Sequence, residues 1–98
     1  MNWFVYILLL DNGTYYTGIS NDVPARLKKH AKGKGSKYVR SHLPFTLVYA
    51  ERAKGRSEAS KREYKIKQLT KEQKASLIFA PNNICSEMSI ETLTFMKE

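Results

Sequence analysis

The sequence predicts an α+β domain in the order β-β-α-β-α-α, with a small central antiparallel three-stranded sheet flanked by helices. Three observations predict it. Trp3–Leu10 is an apolar run of eight residues, aromatic and β-branched, which reads as a strand buried on both faces. Asp11-Asn12-Gly13 is a turn signal, and Thr14–Ser20 beyond it is rich in β formers, so the two stretches make a hairpin. From Asn21 onward helical patterning takes over, interrupted by one further β run, Phe45–Ala50.

The hairpin loop decides which side chains share a face. A two-residue Asn12-Gly13 turn would pair Leu9 with Tyr16 and Tyr6 with Ile19. A three-residue Asp11-Asn12-Gly13 loop would pair Leu8 with Tyr16 and Tyr6 with Gly18. The longer loop wants a left-handed residue at its third position, where Gly13 stands, and it is preferred here. It aims Tyr6, Leu8, Tyr16 and Gly18 the same way.

Asn21 or Asp22 can cap a first helix running to about Ala31, with Pro24 tolerated where first-turn amides lack partners. Residues 32–44 read as a basic, glycine-punctuated connection. Ser57 caps a second helix to about Leu69. Thr70 with Gln73 fits a capping box for a third, ending before Pro81. Residues 1–80 thus form the expected domain. Residues 81–98 form a tail that is polar and mildly acidic, then apolar at Ile90, Leu93, Phe95 and Met96, and is expected to be frayed or weakly docked.

Charge narrows the partners. The chain carries 17 Lys and Arg against 9 Asp and Glu, a net +8. The excess lies in residues 1–80, and ten of the basic side chains fall between Arg26 and Arg56 with Glu51 alone to oppose them. Such a cluster repels itself unless a polyanion answers it, which makes nucleic acid the expected partner; charge alone does not separate DNA from RNA, and a solvated basic surface is the plainer alternative. The longest apolar run is far short of the ~20 residues that span a bilayer, and no signal peptide is evident. Cys85 is the single cysteine, which excludes an internal disulfide and a multi-cysteine zinc site and suits a reducing cytoplasm. No Walker A or dinucleotide fingerprint is present.

Five side chains could carry chemistry. Tyr6 and Tyr16 share a sheet face, and a phenol can exchange a proton if its pKa moves from ~10; packing is the ordinary role of such tyrosines. Arg26 and His30, one helical turn apart beside Val23 and Leu27, border the buried stripe of the first helix. Arg there can grip a phosphate with two hydrogen bonds, or can form a surface ion pair. Glu63 falls on the stripe of the second helix that Ala59, Ile66 and Leu69 define. A carboxylate there is costly unless it is paired or holds a cation, and Lys67, four residues on, is the obvious partner. Lys28, Lys29, Lys32, Lys34, Lys37 and Arg40, with Tyr38 among them, suit backbone contact and base stacking.

Together these residues resemble the GIY-YIG nuclease superfamily. Phe4-Val5-Tyr6 and Tyr16-Thr17-Gly18 match its two short strand motifs, with Arg26 ten residues after Tyr16, then His30, and Glu63 on a later helix. The chain is most similar to the small single-domain bacterial members, which are similar in turn to the catalytic domain of structure-selective DNA endonucleases, a DNA-repair setting. Phe4 stands where the name-giving glycine would, and Thr17 replaces isoleucine. Lys71–Ala80 lacks the asparagine that some relatives carry.

The resemblance implies a hydrolase that cuts DNA phosphodiester bonds, with branched or nicked DNA as substrate and Mg²⁺ or Mn²⁺ held at Glu63. It implies that Tyr16, or less readily Tyr6, takes a proton from water, that Arg26 neutralises phosphate charge, and that His30 orients a tyrosine or shares the proton. Gly18 would leave room for substrate opposite Tyr6, with Lys67 in support. The alternative is a nucleic-acid-binding module of the same fold without catalysis.

Overall fold

A strand apolar on both faces needs a layer on each, and β1 (Trp3–Leu10) has both. In the computed structural model, which describes residues 2–87, 94 and 95, β1 lies inside a sheet of order β2-β1-β3-β4 whose neighbours are all antiparallel. The partners are β2 (Tyr15–Ser20), β3 (Phe45–Ala53) and a two-residue β4 (Thr94–Phe95). The expected three strands are present, and β4 extends them at the β3 edge. Helices α1 (Val23–Ala31), α2 (Lys37–Ser41), α3 (Arg56–Lys67) and α4 (Lys71–Ile78) complete the fold, with one 3-10 turn at Cys85–Glu87.

Alternation along β1 sorts the core into two halves. Tyr6, Leu8 and Leu10 point to one side and meet Val23 and Leu27 of α1, Val39 of α2, and Phe45 and Leu47 of β3. Val5 and Ile7 point to the other and meet Tyr49, Ala53, and Ala59 and Ile66 of α3. A bulge helps both halves. The β1–β3 register slips between Ile7, opposite Tyr49, and Leu8, opposite Leu47. Val48 is the extra residue, so Leu47 and Tyr49, two apart, reach opposite faces.

The hairpin takes the three-residue loop. Leu8 pairs with Tyr16 and Tyr6 with Gly18, and Gly13 has φ 81°. Leu10 and Thr14 close the loop through an N–H···O bond of 2.9 Å. Asp22, rather than Asn21, caps α1, accepting from the Ala25 amide at 3.2 Å. The capping box of α4 forms as expected from Thr70 and Gln73.

Two expectations need correction. Residues 32–44 contain a helix, α2, because Ser36 accepts from the amides of Tyr38 and Val39 and Val39 has a core to enter. Helix α3 starts at Arg56, with Gly55 rather than Ser57 at its cap. No side chain caps it, and Glu58 instead accepts from the Lys54 amide. Elsewhere bounds shift by up to three residues: β3 continues to Ala53, and α3 stops at Lys67.

Beyond α4 the chain returns to the sheet. Asn83 accepts from the Ala50 and Cys85 amides and donates to the carbonyls of Val48 and Ile78, while the Ile84 amide donates to Ala50 O. Ile90, Leu93 and Met96 lie outside the described residues. No helix among the described residues is long and apolar enough to cross a membrane.

Thr17 stands where the second motif of the resemblance has isoleucine. Its side chain is 3% exposed, and its hydroxyl has no hydrogen-bond partner among the described residues. Thr17→Val keeps the shape and removes the orphan group, so urea denaturation of this variant should show a gain of about 1 kcal/mol with an unchanged m-value.

Candidate active site

The register sets the site. Tyr6 stands opposite Gly18, and its phenol crosses the space a side chain would fill: a Cβ on Gly18 would lie 2.5 Å from Tyr6 Oη. Gly18 therefore makes room for Tyr6, where the resemblance implied room for substrate. The ring is fully buried. Tyr16, on the same face and half-buried, reaches further out.

Helix α1 supplies the next layer. Val23 and Leu27 anchor it in the core, which turns His30 inward and leaves Arg26 exposed one turn earlier. His30 is 2% exposed, so its ring nitrogens need partners. Nε2 lies 2.9 Å from Tyr6 Oη, and Nδ1 accepts from the Ser36 amide at 3.4 Å. An acceptor at Nδ1 puts the proton of the neutral ring on Nε2, so His30 donates to Tyr6. The Tyr6 proton is then left for another acceptor. The His30 ring also stands edge-on to Tyr16, with centroids 5.5 Å apart.

The electrostatics follow from burial. Desolvation lowers the His30 pKa to about 4, helped by the Arg26 charge. Tyr6 is pushed well above the ordinary phenol value, first by burial, then by the Tyr16 charge and by Glu63, with Arg26 pulling the other way. Tyr6 is thus a fixed, neutral hydrogen-bonding group. Tyr16, which reaches the surface, is better placed to handle a proton.

An open cleft of about 340 Å³ lies between Tyr16, Arg26, Lys29, His30, Lys34 and the Gly35–Ser36 step. Three of the five sequence-predicted residues line it, and Tyr6 sits beneath them through its bond to His30. Glu63 does not line it. It arrives on α3, which packs across β1 and β2 from the opposite face, and its charge acts on the Tyr6 hydroxyl. Its side chain is 23% exposed and pairs with Lys67 at 3.3 Å, so both the stripe position and the expected i,i+4 pair are present.

Lys28, Lys29, Lys32, Lys34, Lys37 and Arg40 are exposed, and Lys29 and Lys34 reach the cleft. Tyr38 is 44% exposed, but its hydroxyl is engaged with Asn12 at 3.2 Å and Thr14 at 3.0 Å, and its ring lies 4.7 Å from that of His42. It braces the hairpin loop as well as offering a face.

Gly35 and Ser36 were missed as site residues. A Cβ at Gly35 would collide with His30 Nδ1, so only glycine lets the loop close on the ring. In the sequence Gly33-Lys34-Gly35 reads only as glycine punctuation of a basic connection, with no sign of the ring it approaches. A second missed cluster lies on the α3 side. Tyr49, pushed up to about 12 chiefly by burial, donates to Glu51, whose two oxygens also bind Arg62 Nε at 3.1 and 3.0 Å. This group joins β3 to α3.

A divalent ion is the group this arrangement has to fit. Among the described residues no three His, Cys, Asp or Glu side chains gather. Soft, multi-ligand metals are therefore poorly served there. Mg²⁺ or Mn²⁺ is different, because such ions keep most of their waters and take one or two carboxylates plus phosphate oxygens. Glu63, acceptor-only and partly exposed, fits that requirement.

The fold is that of a GIY-YIG catalytic domain, and the chain belongs to that family, whose model matches residues 2–76. Its relatives are UPF0213 proteins. One from Desulfotalea psychrophila is 49% identical over 79 residues, spanning 80% of this chain and 72% of that one. One from Staphylococcus epidermidis is 49% identical over 75 residues, 76% of this chain and 92% of that one. The solution NMR structure of a UPF0213 protein from Bacillus halodurans is 43% identical, covers 84% of this chain and 87% of that one, and superposes with a TM-score of 0.53.

The His30 assignment is testable by titration. Its folded pKa lies below the unfolded value, so its contribution to stability is complete above pH ~6.5 and is lost as pH falls through about 4. An NMR titration should put the His30 midpoint near pH 4, with the Nε2–H tautomer above it. The cost to folding should reach about 3 kcal/mol at the acid end and be missing in His30→Gln.

Proposed function

We propose that this chain is an endonuclease that hydrolyses DNA phosphodiester bonds with the help of one Mg²⁺ or Mn²⁺ at Glu63. The observation that carries the reading is the meeting of Tyr16, Arg26 and His30 around one cleft, with the Glu63 charge felt at its floor and Lys29 and Lys34 at its rim. Every part answers a need of phosphate hydrolysis. Arg26, exposed at the cleft, binds a phosphate oxygen and neutralises the charge that builds on it. Tyr16, acting as the phenolate, takes a proton from the attacking water and becomes the phenol. His30, neutral at physiological pH, holds Tyr6 by donating from Nε2, and Tyr6 stays protonated beneath the cleft. When bound, the ion supplies Lewis-acid stabilisation of the phosphate and the leaving oxygen. Lys67 orients the Glu63 carboxylate.

The exposed lysines and Arg40 contact flanking phosphates, which set register and not sequence. The substrate class is therefore DNA chosen by shape, with branched or nicked forms the expected targets, and the setting is cytoplasmic. A non-catalytic binding module would use the same basic surface, with the Tyr6–His30 bond serving only to hold α1 on the sheet.

Labelled linear, nicked, flapped and four-way DNA, incubated with and without Mg²⁺ or Mn²⁺, tests the proposal. Glu63→Gln should abolish metal-dependent cleavage and keep binding. Arg26→Ala should slow cleavage by about 10²–10³-fold. A wild-type chain that binds every form and cuts none would establish the module instead.

A further inference from the structure

Helix α3 carries more than Glu63. At about 100° per residue, Lys67 and Ser60 lie just outward of Glu63 around the helix, Tyr64 next, then Lys61 and Lys65. Tyr64 is 67% exposed, a large aromatic ring in water on a helix whose own core contacts are Ala59 and Ile66. Ser60, Lys61, Tyr64 and Lys65 frame an open hollow of about 480 Å³. The other charges of α3 are engaged: Arg62 with Glu51, Lys67 with Glu63, Arg56 over the Trp3 ring at 5.8 Å, and Glu58 with the Lys54 amide. Among the described residues, Lys61 and Lys65 have no such partner.

We propose that the outer face of α3 is a second nucleic-acid subsite, in which Tyr64 stacks on an unpaired base and Lys61 and Lys65 hold the phosphates of a single-stranded arm that passes Glu63. The inference rests on the endonuclease reading and adds where one arm of the substrate goes. Duplex DNA offers a helix face phosphates and closed base stacks, which lysines alone can grip. An exposed ring between two free cations is the arrangement that suits splayed bases, because every base has a stacking face and the backbone needs only charge. The subsite also lies apart from the lysines of residues 28–40, so a branched substrate could occupy both.

The test measures binding by fluorescence anisotropy in a chelator, with a duplex carrying a single-stranded arm and the same duplex blunt. Tyr64→Ala should weaken binding to the armed DNA by about fivefold or more and leave the blunt duplex unchanged, while Tyr64→Phe should behave as wild type. Lys61→Gln with Lys65→Gln should lower the salt slope on armed DNA by about 1.4, at roughly 0.7 per phosphate of single strand. Equal losses on both DNAs, or no loss on either, would overturn the subsite. So would a concentration-dependent dimer that Tyr64→Ala dissolves while DNA binding persists, since the face would then belong to a second copy. If Tyr64→Ala is indifferent while the wild type still cuts DNA in Mg²⁺, only this proposal fails. A wild type that binds neither DNA sinks this and the endonuclease reading together.

Discussion

The hydrogen bond between Tyr6 and His30 ties the site together. Both groups are buried, and a buried hydroxyl or imidazole without a partner costs roughly 1–3 kcal/mol. Each is the other's remedy, and the bond joins the central strand to the first helix. It fixes the rotation of α1, and with it the direction in which Arg26 leaves the helix. It also holds the tyrosine against Gly18, so that Tyr16 rather than Tyr6 faces the cleft. The bond in turn depends on the Ser36 amide, which sets the tautomer of the ring from the far side. A loop outside any catalytic motif thus determines which atom of the histidine can donate.

The two faces of the sheet contribute unequally. The α1 side brings a phenol, a guanidinium and an imidazole together on a surface rich in lysine. The α3 side brings a single carboxylate, and it does so across β2, the edge strand on the side away from β3. The Glu51–Arg62–Tyr49 cluster anchors α3 to β3 through a partly buried ion pair. A partly buried pair of this kind adds little net stability, but losing one partner would be costly, so it serves to hold the helix, and Glu63 with it, in one position.

Much of this was legible because it is local. The eight-residue apolar run, the loop with Gly13 at its third position and the Thr70–Gln73 box each announce themselves within a few residues, and the hairpin register followed from them. That Tyr6 and Tyr16 share one face, and Arg26 and His30 another, was legible too, since strand alternation and helical spacing set each, while their meeting was implied only by the family resemblance. Helix α2 was not: its five residues are too few for periodicity, and Val39 becomes a core residue only once β3 is in place. Nor were Gly35 and Ser36, whose partner is a histidine reached only after the loop folds back. The bulge at Val48 has no sequence signal, and without it Tyr49 and Glu51 cannot be assigned to the α3 face.

On the edge of β3 away from β1, Asn83 takes the place of a neighbouring strand, its amide bonding the Val48 carbonyl while its oxygen receives the Ala50 amide. The match to the catalytic-domain model ends at residue 76, seven residues before this asparagine. The segment that the family model matches and the segment that satisfies the sheet are therefore different lengths. Trimming the polypeptide to residues 2–76 would bare the outward polar groups of Val48 and Ala50, which the returning chain at residues 83 and 84 covers.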